Sequence, residues 1–215
     1  TSHVGGLAAC GAMAATMELE RDSLHAFKSM FFFDDMVVNL GAGIRTAGTR
    51  PLATAIEQNY LQAGFRHKGK TAFNGNTAYF VLDGDAAVSA GAQSGRWNRM
   101  EPSLPDTLVR RDIFKMWIKH DGAKVHSAEG DSYAYVVLPC SKACRIARKP
   151  AVDILCNTSA CQAVRHKGVT IAVFHHAGSL DLGRQKFSAD SPCIIIRKGS
   201  CVSRICLPAP AHPEP

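Results

Sequence analysis

The run Gln93-Ser-Gly-Arg96-Trp97-Asn98 gathers a guanidinium, an indole and two amides in one loop after a strand-like segment. That combination suits an acidic sugar. Arginine grips a carboxylate through paired, charge-assisted hydrogen bonds, and tryptophan stacks on the apolar face of a pyranose. Arg96, Trp97 and Asn98 are therefore the candidate substrate-binding residues. The competing reading makes Trp97 a plug at a sheet edge. Tyr133 and Tyr135 share a strand face and fit either a sugar-stacking platform or a core. Asp34-Asp35 offers two carboxylates, but adjacent strand residues point to opposite faces, which favours a solvated turn. Gly41-Ala-Gly43 follows a strand, yet Thr46 stands where a dinucleotide fingerprint needs its third glycine and no helix start follows. Asn157-Thr158-Ser159 matches a glycosylation sequon. No Ser-His-Asp or Cys-His arrangement can be argued, so no catalytic residue is assigned.

Eight cysteines are unevenly spread: Cys10 stands alone and seven fall between Cys140 and Cys206. Cys140-x3-Cys144 and Cys156-x4-Cys161, with His166, His175 and His176 nearby, loosely fit a zinc site. Cysteine is equally a small core residue, and Cys156, Cys193 and Cys206 lie in apolar strand-like runs. Disulfide pairing stays open. The expectation is no metal and no cofactor.

The elements that must position these residues are short strands. Ser29–Phe33 and Met36–Leu40 flank Asp34-Asp35 and predict a hairpin. Leu52–Tyr60 alternates partly and predicts a strand, with a helix competing. Asn74-Gly75, Thr77–Leu82, Asp83-Gly84 and Asp85–Ser89 predict a meander. Ile113–Lys119 and Ser132–Leu138 are two further strands. Val152–Cys156, Gln162–His166, Val169–Phe174, Cys193–Lys198 and Val202–Leu207 follow. Many short strands and few helices predict an all-β antiparallel sandwich. The basic stretch Lys142–Pro150 is the expected boundary. It separates a sandwich over 1–150 from a smaller C-terminal β-domain over 151–207. The tail 208–215 is proline-rich.

The 215 residues are 46% hydrophobic and 20% charged, which excludes wholesale disorder. No apolar run approaches the roughly 18 residues of a transmembrane helix, and no membrane association is expected. The net charge of +7 suits an anionic partner. The basic residues are scattered, and the densest patch, Arg66, His67, Lys68 and Lys70, is short, which argues against nucleic acid. The chain begins at Thr1 without a visible signal peptide, so a processed product or a fragment is expected.

Together the segments resemble one family. Leu24-His-Ala-Phe-Lys28-Ser-Met-Phe-Phe-Phe-Asp34-Asp-Met-Val-Val-Asn-Leu40-Gly-Ala-Gly-Ile44 is similar to a stretch of the family 8 polysaccharide lyases, the hyaluronate, chondroitin AC and xanthan lyases. Val4–Glu18 resembles the stretch just upstream, and Gln93–Asn98 resembles the family's S-G-x-W loop. Ile113–His120 with Ser132–Pro139 resembles the block ending Y-A-Y-V-V-L-P. Ile154–Thr158, Gln162–His166 and Asp190–Cys193 look like the C-terminal domain. The ordered resemblance covers residues 4 to about 207. Met30 stands where the pattern has Trp, Met36 where it has Glu, and Leu207-Pro-Ala-Pro where it has Asp-Pro-Thr. The later cysteines lie outside the pattern.

The resemblance implies a super-sandwich and a small C-terminal β-domain belonging to a longer, secreted enzyme. Such an enzyme cleaves acidic polysaccharides by β-elimination. It implies that the catalytic Asn, His, Tyr and Arg belong to an N-terminal α/α-toroid domain, which would be the partner of this chain, and that these residues have no counterpart in 1–215. The expected role here is carbohydrate binding and scaffold. The alternative is a stand-alone, non-catalytic carbohydrate-binding or structural sandwich.

Overall fold

A computed structural model describes residues 2–7, 10–19, 23–139, 149–183 and 185–206. Cys140, Cys144, most of the Lys142–Pro150 stretch and the tail from Leu207 lie outside the described residues. Among the described residues, eighteen strands are numbered in chain order. The central sheet has eight antiparallel strands in the order β1 (Ser2–Leu7), β2 (Cys10–Leu19), β3 (Leu24–Phe33), β4 (Met36–Arg45), β11 (Asp131–Pro139), β8 (Thr77–Asp83), β7 (Thr71–Asn74) and β6 (Arg66–Lys68).

Both faces of this sheet are covered. On one face lie β5 (Ala53–Tyr60), β10 (Leu108–Lys119) and β9 (Asp85–Arg96), a three-stranded sheet. Its Phe114, Met116 and Ile118 pack with Tyr79, Val81, Tyr133 and Tyr135. On the other face lies a five-stranded sheet of β12 (Asp153–Asn157), β13 (Cys161–His166), β14 (Val169–Phe174), β17 (Cys193–Lys198) and β18 (Cys201–Cys206). Its Val164, Ile171, Val173, Ile194 and Ile196 join Phe31, Val38, Leu40, Phe80 and Val136 in one core. The hairpin β15 (Gly178–Asp181) and β16 (Lys186–Ala189) caps the outer face, where Phe187 and Ala189 meet Cys161, Phe174 and Cys193. The alternation along β11 shows why this works: Tyr133 and Tyr135 face one layer, Ala134, Val136 and Leu138 the other. A strand buried on both faces reads as a near-continuous apolar run, as β4 and β11 do.

The all-β expectation holds: the expected strands lie in or overlap observed ones, and β1, β2, β6, β15 and β16 are further strands beyond those expected. One connection differs. Asp83-Gly84-Asp85 does not close a hairpin. β8 pairs with β7 and β11, whereas β9 pairs with β10. The chain turns a corner there and leaves the central sheet for the flanking one. Gly84 has φ +116, and a Cβ at that position would lie 2.7 Å from Ile118 Cγ2, so glycine is required for the corner. The meander therefore ends at β8. Leu52–Tyr60 is a strand, not a helix.

Close approach explains a second glycine. A Cβ on Gly41 would lie 2.2 Å from Tyr133 Cε1. The Gly41-Ala-Gly43 run is thus strand interior packed under an aromatic ring.

Candidate functional site

The three candidate residues sit at the end of an arm. β9 and β10 pair along their full length, from Asp85 with Lys119 to Arg96 with Leu108. β5 joins β10 only from Ile113 to Lys119. The stretches Gly91–Arg96 and Leu108–Asp112 consequently run on as a two-stranded ribbon whose side chains are mostly exposed. A short 3₁₀ turn, Trp97–Arg99, lies at its tip.

The tip is braced. Arg96 Nη1 lies 3.0 Å from Asp106 Oδ1 and donates to the Asp106 carbonyl at 2.8 Å. That contact draws the two ends of the tip loop together. Within it, Met100 and Glu101 donate their amides to the Trp97 carbonyl, and Ser103 donates to the Glu101 carboxylate. The two serine hydrogen bonds hold Glu101 below the usual carboxylate range. Trp97 is 57% exposed, with Met100, Leu104 and Leu108 also exposed on this arm. Asn98 is half-buried, and its Oδ1 is buried with no hydrogen-bond partner among the described residues. Of the expected trio, then, Trp97 presents a free ring, Arg96 is already held by a carboxylate, and Asn98 turns partly inward. Trp97 does not plug a sheet edge. The Asp106 contact has one sequence signal, an acidic residue ten positions on in a Pro-rich loop.

The other chemistry-bearing residues are absorbed by the fold. Tyr133 and Tyr135 stack with ring centroids 5.7 Å apart and are buried. Burial pushes both phenols above their ordinary range. They are core residues, not a sugar platform. Asn157 donates to the carbonyls of Gly41 and Tyr133 and accepts from Gln162, so its amide is engaged. Asp34-Asp35 forms the β3–β4 turn, but Asp35 does more than face solvent. It lies 2.6 Å from Lys167 Nζ and 3.1 Å from His166 Nε2, residues more than 130 positions away. Burial alone would raise its carboxyl; Lys167 and His166 outweigh that and lower it. These groups, with Cys10, Phe33, Asp34 and Lys198, line a cleft of about 130 Å³ where hairpin turns of two layers meet. The basic residues Arg66, His67 and Lys68 lie exposed on β6, an edge strand.

Two buried polar clusters are invisible in the sequence. Ser29 donates to Gln162 Oε1, which also lies 3.0 Å from His175 Nε2, joining the central and C-terminal sheets. Asp131 accepts from His120 Nδ1 at 3.0 Å and from the amides of Asp121 and Ser132, while His120 Nε2 meets Thr54 Oγ1 at 2.8 Å. Burial would raise the Asp131 carboxyl, but the Ser132 amide, His120 and the Asp121 amide together lower it. Ser29 lies 133 positions from Gln162 and Thr54 lies 66 from His120, and no local pattern announces these links.

The fold is a three-layered antiparallel β-structure with a projecting arm that carries Trp97 at its tip. Residues 1–150 match the model of the polysaccharide lyase family 8 super-sandwich domain, and residues 153–211 match the family's C-terminal β-sandwich domain. The chain belongs to polysaccharide lyase family 8. It is 32% identical over 207 residues to chondroitinase-AC of Pedobacter heparinus, covering 86% of this chain and 29% of that protein. It is 30% identical over 190 residues to xanthan lyase of Bacillus sp. strain GL1, covering 73% of this chain and 20% of that protein. A solved chondroitinase AC lyase, studied in oligosaccharide complexes, superposes with a TM-score of 0.78 at 29% identity, over 94% of this chain and 32% of that one. The chain thus spans less than a third of the length of these relatives.

Proposed function

We propose that this chain is the β-region of a secreted polysaccharide lyase acting on an acidic polysaccharide of the hyaluronan, chondroitin or xanthan type. Its role is to bind carbohydrate and to scaffold. The β-elimination itself belongs to an α/α-toroid domain, the partner that carries the family's Asn, His, Tyr and Arg. No catalytic residue is assigned to 1–215. The observation that carries the binding role is the exposed indole of Trp97 on an arm held in shape by Arg96 and Asp106. Stacking on a sugar ring needs an accessible, pre-positioned aromatic face, and the loop provides one. Arg99, Arg110 and Arg111 are exposed nearby and bring positive charge to the same arm.

The experiment is a titration of the purified chain with hyaluronan, chondroitin and xanthan oligosaccharides, read by calorimetry and by absorbance of unsaturated uronate. Binding without product formation is expected. Unsaturated uronate from this chain alone overturns the division of labour, and no binding to any acidic glycan overturns the binding role.

A further inference from the structure

The outer face of the C-terminal sheet carries a row of thiols. Across β13, β14, β17 and β18 the register places Cys161 opposite Phe174, Phe174 opposite Cys193, and Cys193 opposite Cys206. Cys156 pairs with Ala163, two residues from Cys161 on the same face, and packs against the same apolar cluster. Cys161 and Cys193 also pack in the cluster beneath the β15–β16 hairpin, but the proposed binding role uses none of the four thiols.

The pairing geometry of Cys193 and Cys206 follows from their hairpin. Lys198 pairs with Cys201 across the two-residue turn Gly199-Ser200, with Gly199 at φ +60. In such a hairpin the closing pair exchanges both hydrogen bonds, and bonded and non-bonded pairs then alternate. Counting back, Cys193 and Cys206 form a non-bonded pair. Non-bonded pairs bring Cα atoms to about 4.5 Å, at the short end of the roughly 4.4–6.8 Å that a disulfide spans. Ile194 and Ile205 point to the opposite face, where Ile205 meets Gly5. Cys206 is exposed and Cys193 is buried.

Cys156 and Cys161 lie diagonally across the β12–β13 hairpin, with Thr158 against both. The Thr158 hydroxyl lies 3.8 Å from Cys156 Sγ and accepts the Cys161 amide at 3.1 Å. The Cys161 thiol hydrogen-bonds Cys156, which holds Cys156 below the usual thiol range against its burial, and Thr158 adds to that; Cys161 is raised in return. Cys156 is partly exposed and Cys161 is buried. An oxidant therefore reaches Cys156 first, and the buried Cys161 is placed to resolve.

We propose that the C-terminal sheet is a redox-modification site that takes two disulfides, Cys156–Cys161 and Cys193–Cys206, each stapling one hairpin. The oxidant is a small-molecule disulfide, such as oxidised glutathione. At the first site the Cys156 thiolate attacks one sulfur of the oxidant and expels a thiolate. Cys161 then loses its proton and displaces the second thiolate, so each bond consumes one disulfide and releases two thiols. At the second site the exposed Cys206 attacks and Cys193 resolves. Cys201, at the other end of β18 and of opposite parity, stays outside both bonds.

The test uses the full chain equilibrated across ratios of reduced to oxidised glutathione, quenched by alkylation and digested with trypsin without reduction. The expected product has the Cys156/Cys161 peptide lighter by two hydrogens and closed to alkylation. A cross-linked pair of peptides joins Cys193 to Cys206, and Cys201 remains alkylated or glutathionylated. Cys206→Ser is expected to remove the cross-link and leave the Cys156–Cys161 bond intact; Cys206 is exposed, so this variant keeps the fold. The thermal midpoint of the oxidised chain rises and returns on reduction. Alkylatable thiols at either pair under full oxidation, or bonds that join Cys201 to either pair, overturn the proposal.

Discussion

The hydroxyl of Ser29 donates to Oε1 of Gln162 at 2.5 Å, across 133 residues of sequence and between two β-layers. Both side chains are buried, and His175 and Asn157 complete the network. Removing Ser29 leaves one of several donors to Gln162 missing, whereas removing Gln162 strands three partners. Ser29→Ala is expected to cost about 1 kcal/mol and Gln162→Leu about 3 kcal/mol. Urea unfolding of the two variants measures both. Equal costs would mean that the network does not act as a unit.

Asp131 is a buried carboxylate held below its ordinary range, and the sign of its pH effect follows. A carboxyl whose folded pKa is depressed contributes stability above its unfolded pKa, and that contribution is lost as pH falls through the folded value. Asp131→Asn breaks the contacts to His120 and is expected to cost about 3 kcal/mol at pH 7. The difference from the parent chain shrinks as pH drops below 3.8, the ordinary value for the group. Thermal scans at pH 7 and pH 3 test it; a gap that widens in acid contradicts the assignment.

Gly41 leaves room for the Tyr133 ring. Gly41→Ala puts a methyl where the ring stands, and the buried ring has nowhere to go. The expected loss is about 3 kcal/mol or more. If the clash is the cause, Tyr133→Leu in the same chain recovers part of it, so the double variant loses less than the sum of the single ones. Additive losses would point to backbone strain instead.

For the arm, Trp97→Ala is expected to weaken binding of an acidic oligosaccharide about fivefold, equivalent to roughly 1 kcal/mol of stacking. The melting temperature stays nearly constant, because the ring packs against little. Arg96→Ala also weakens binding, by loosening the tip and freeing Asp106, at a stability cost below about 1 kcal/mol for an exposed pair. Calorimetric titration beside thermal melts separates the two readouts. Unchanged affinity in both variants removes the arm from the binding surface.

Much of the fold is legible in the residues. Asn74-Gly75, Asp34-Asp35 and the alternation of β11 mark turns and strands where they occur, since turn chemistry and side-chain period act locally. The choice of sheet does not. Asp83-Gly84 carries a hairpin signal, and only the contact between Gly84 and Ile118, 34 positions on, shows that the chain must leave the sheet there. The site was half legible for the same reason. Trp97 stands out by type, but the use of Arg96 as a brace depends on where Asp106 lands. Tyr133 and Tyr135 offer the same alternation to a platform or a core, and only the flanking layer of Phe114 and Met116 decides between them.

The central sheet needs cover from both sides, and its cover comes from different times in synthesis. Phe31 and Val38 leave the ribosome more than 120 residues before Ile171 and Ile194, the side chains that shield them. Gly5 waits longest, for Ile205. Until β14 and β17 emerge, the face of the central sheet that they cover stays apolar and exposed. The strands β1 to β4 therefore depend for cover on strands made much later, and the partly covered sheet is the aggregation-prone species during folding.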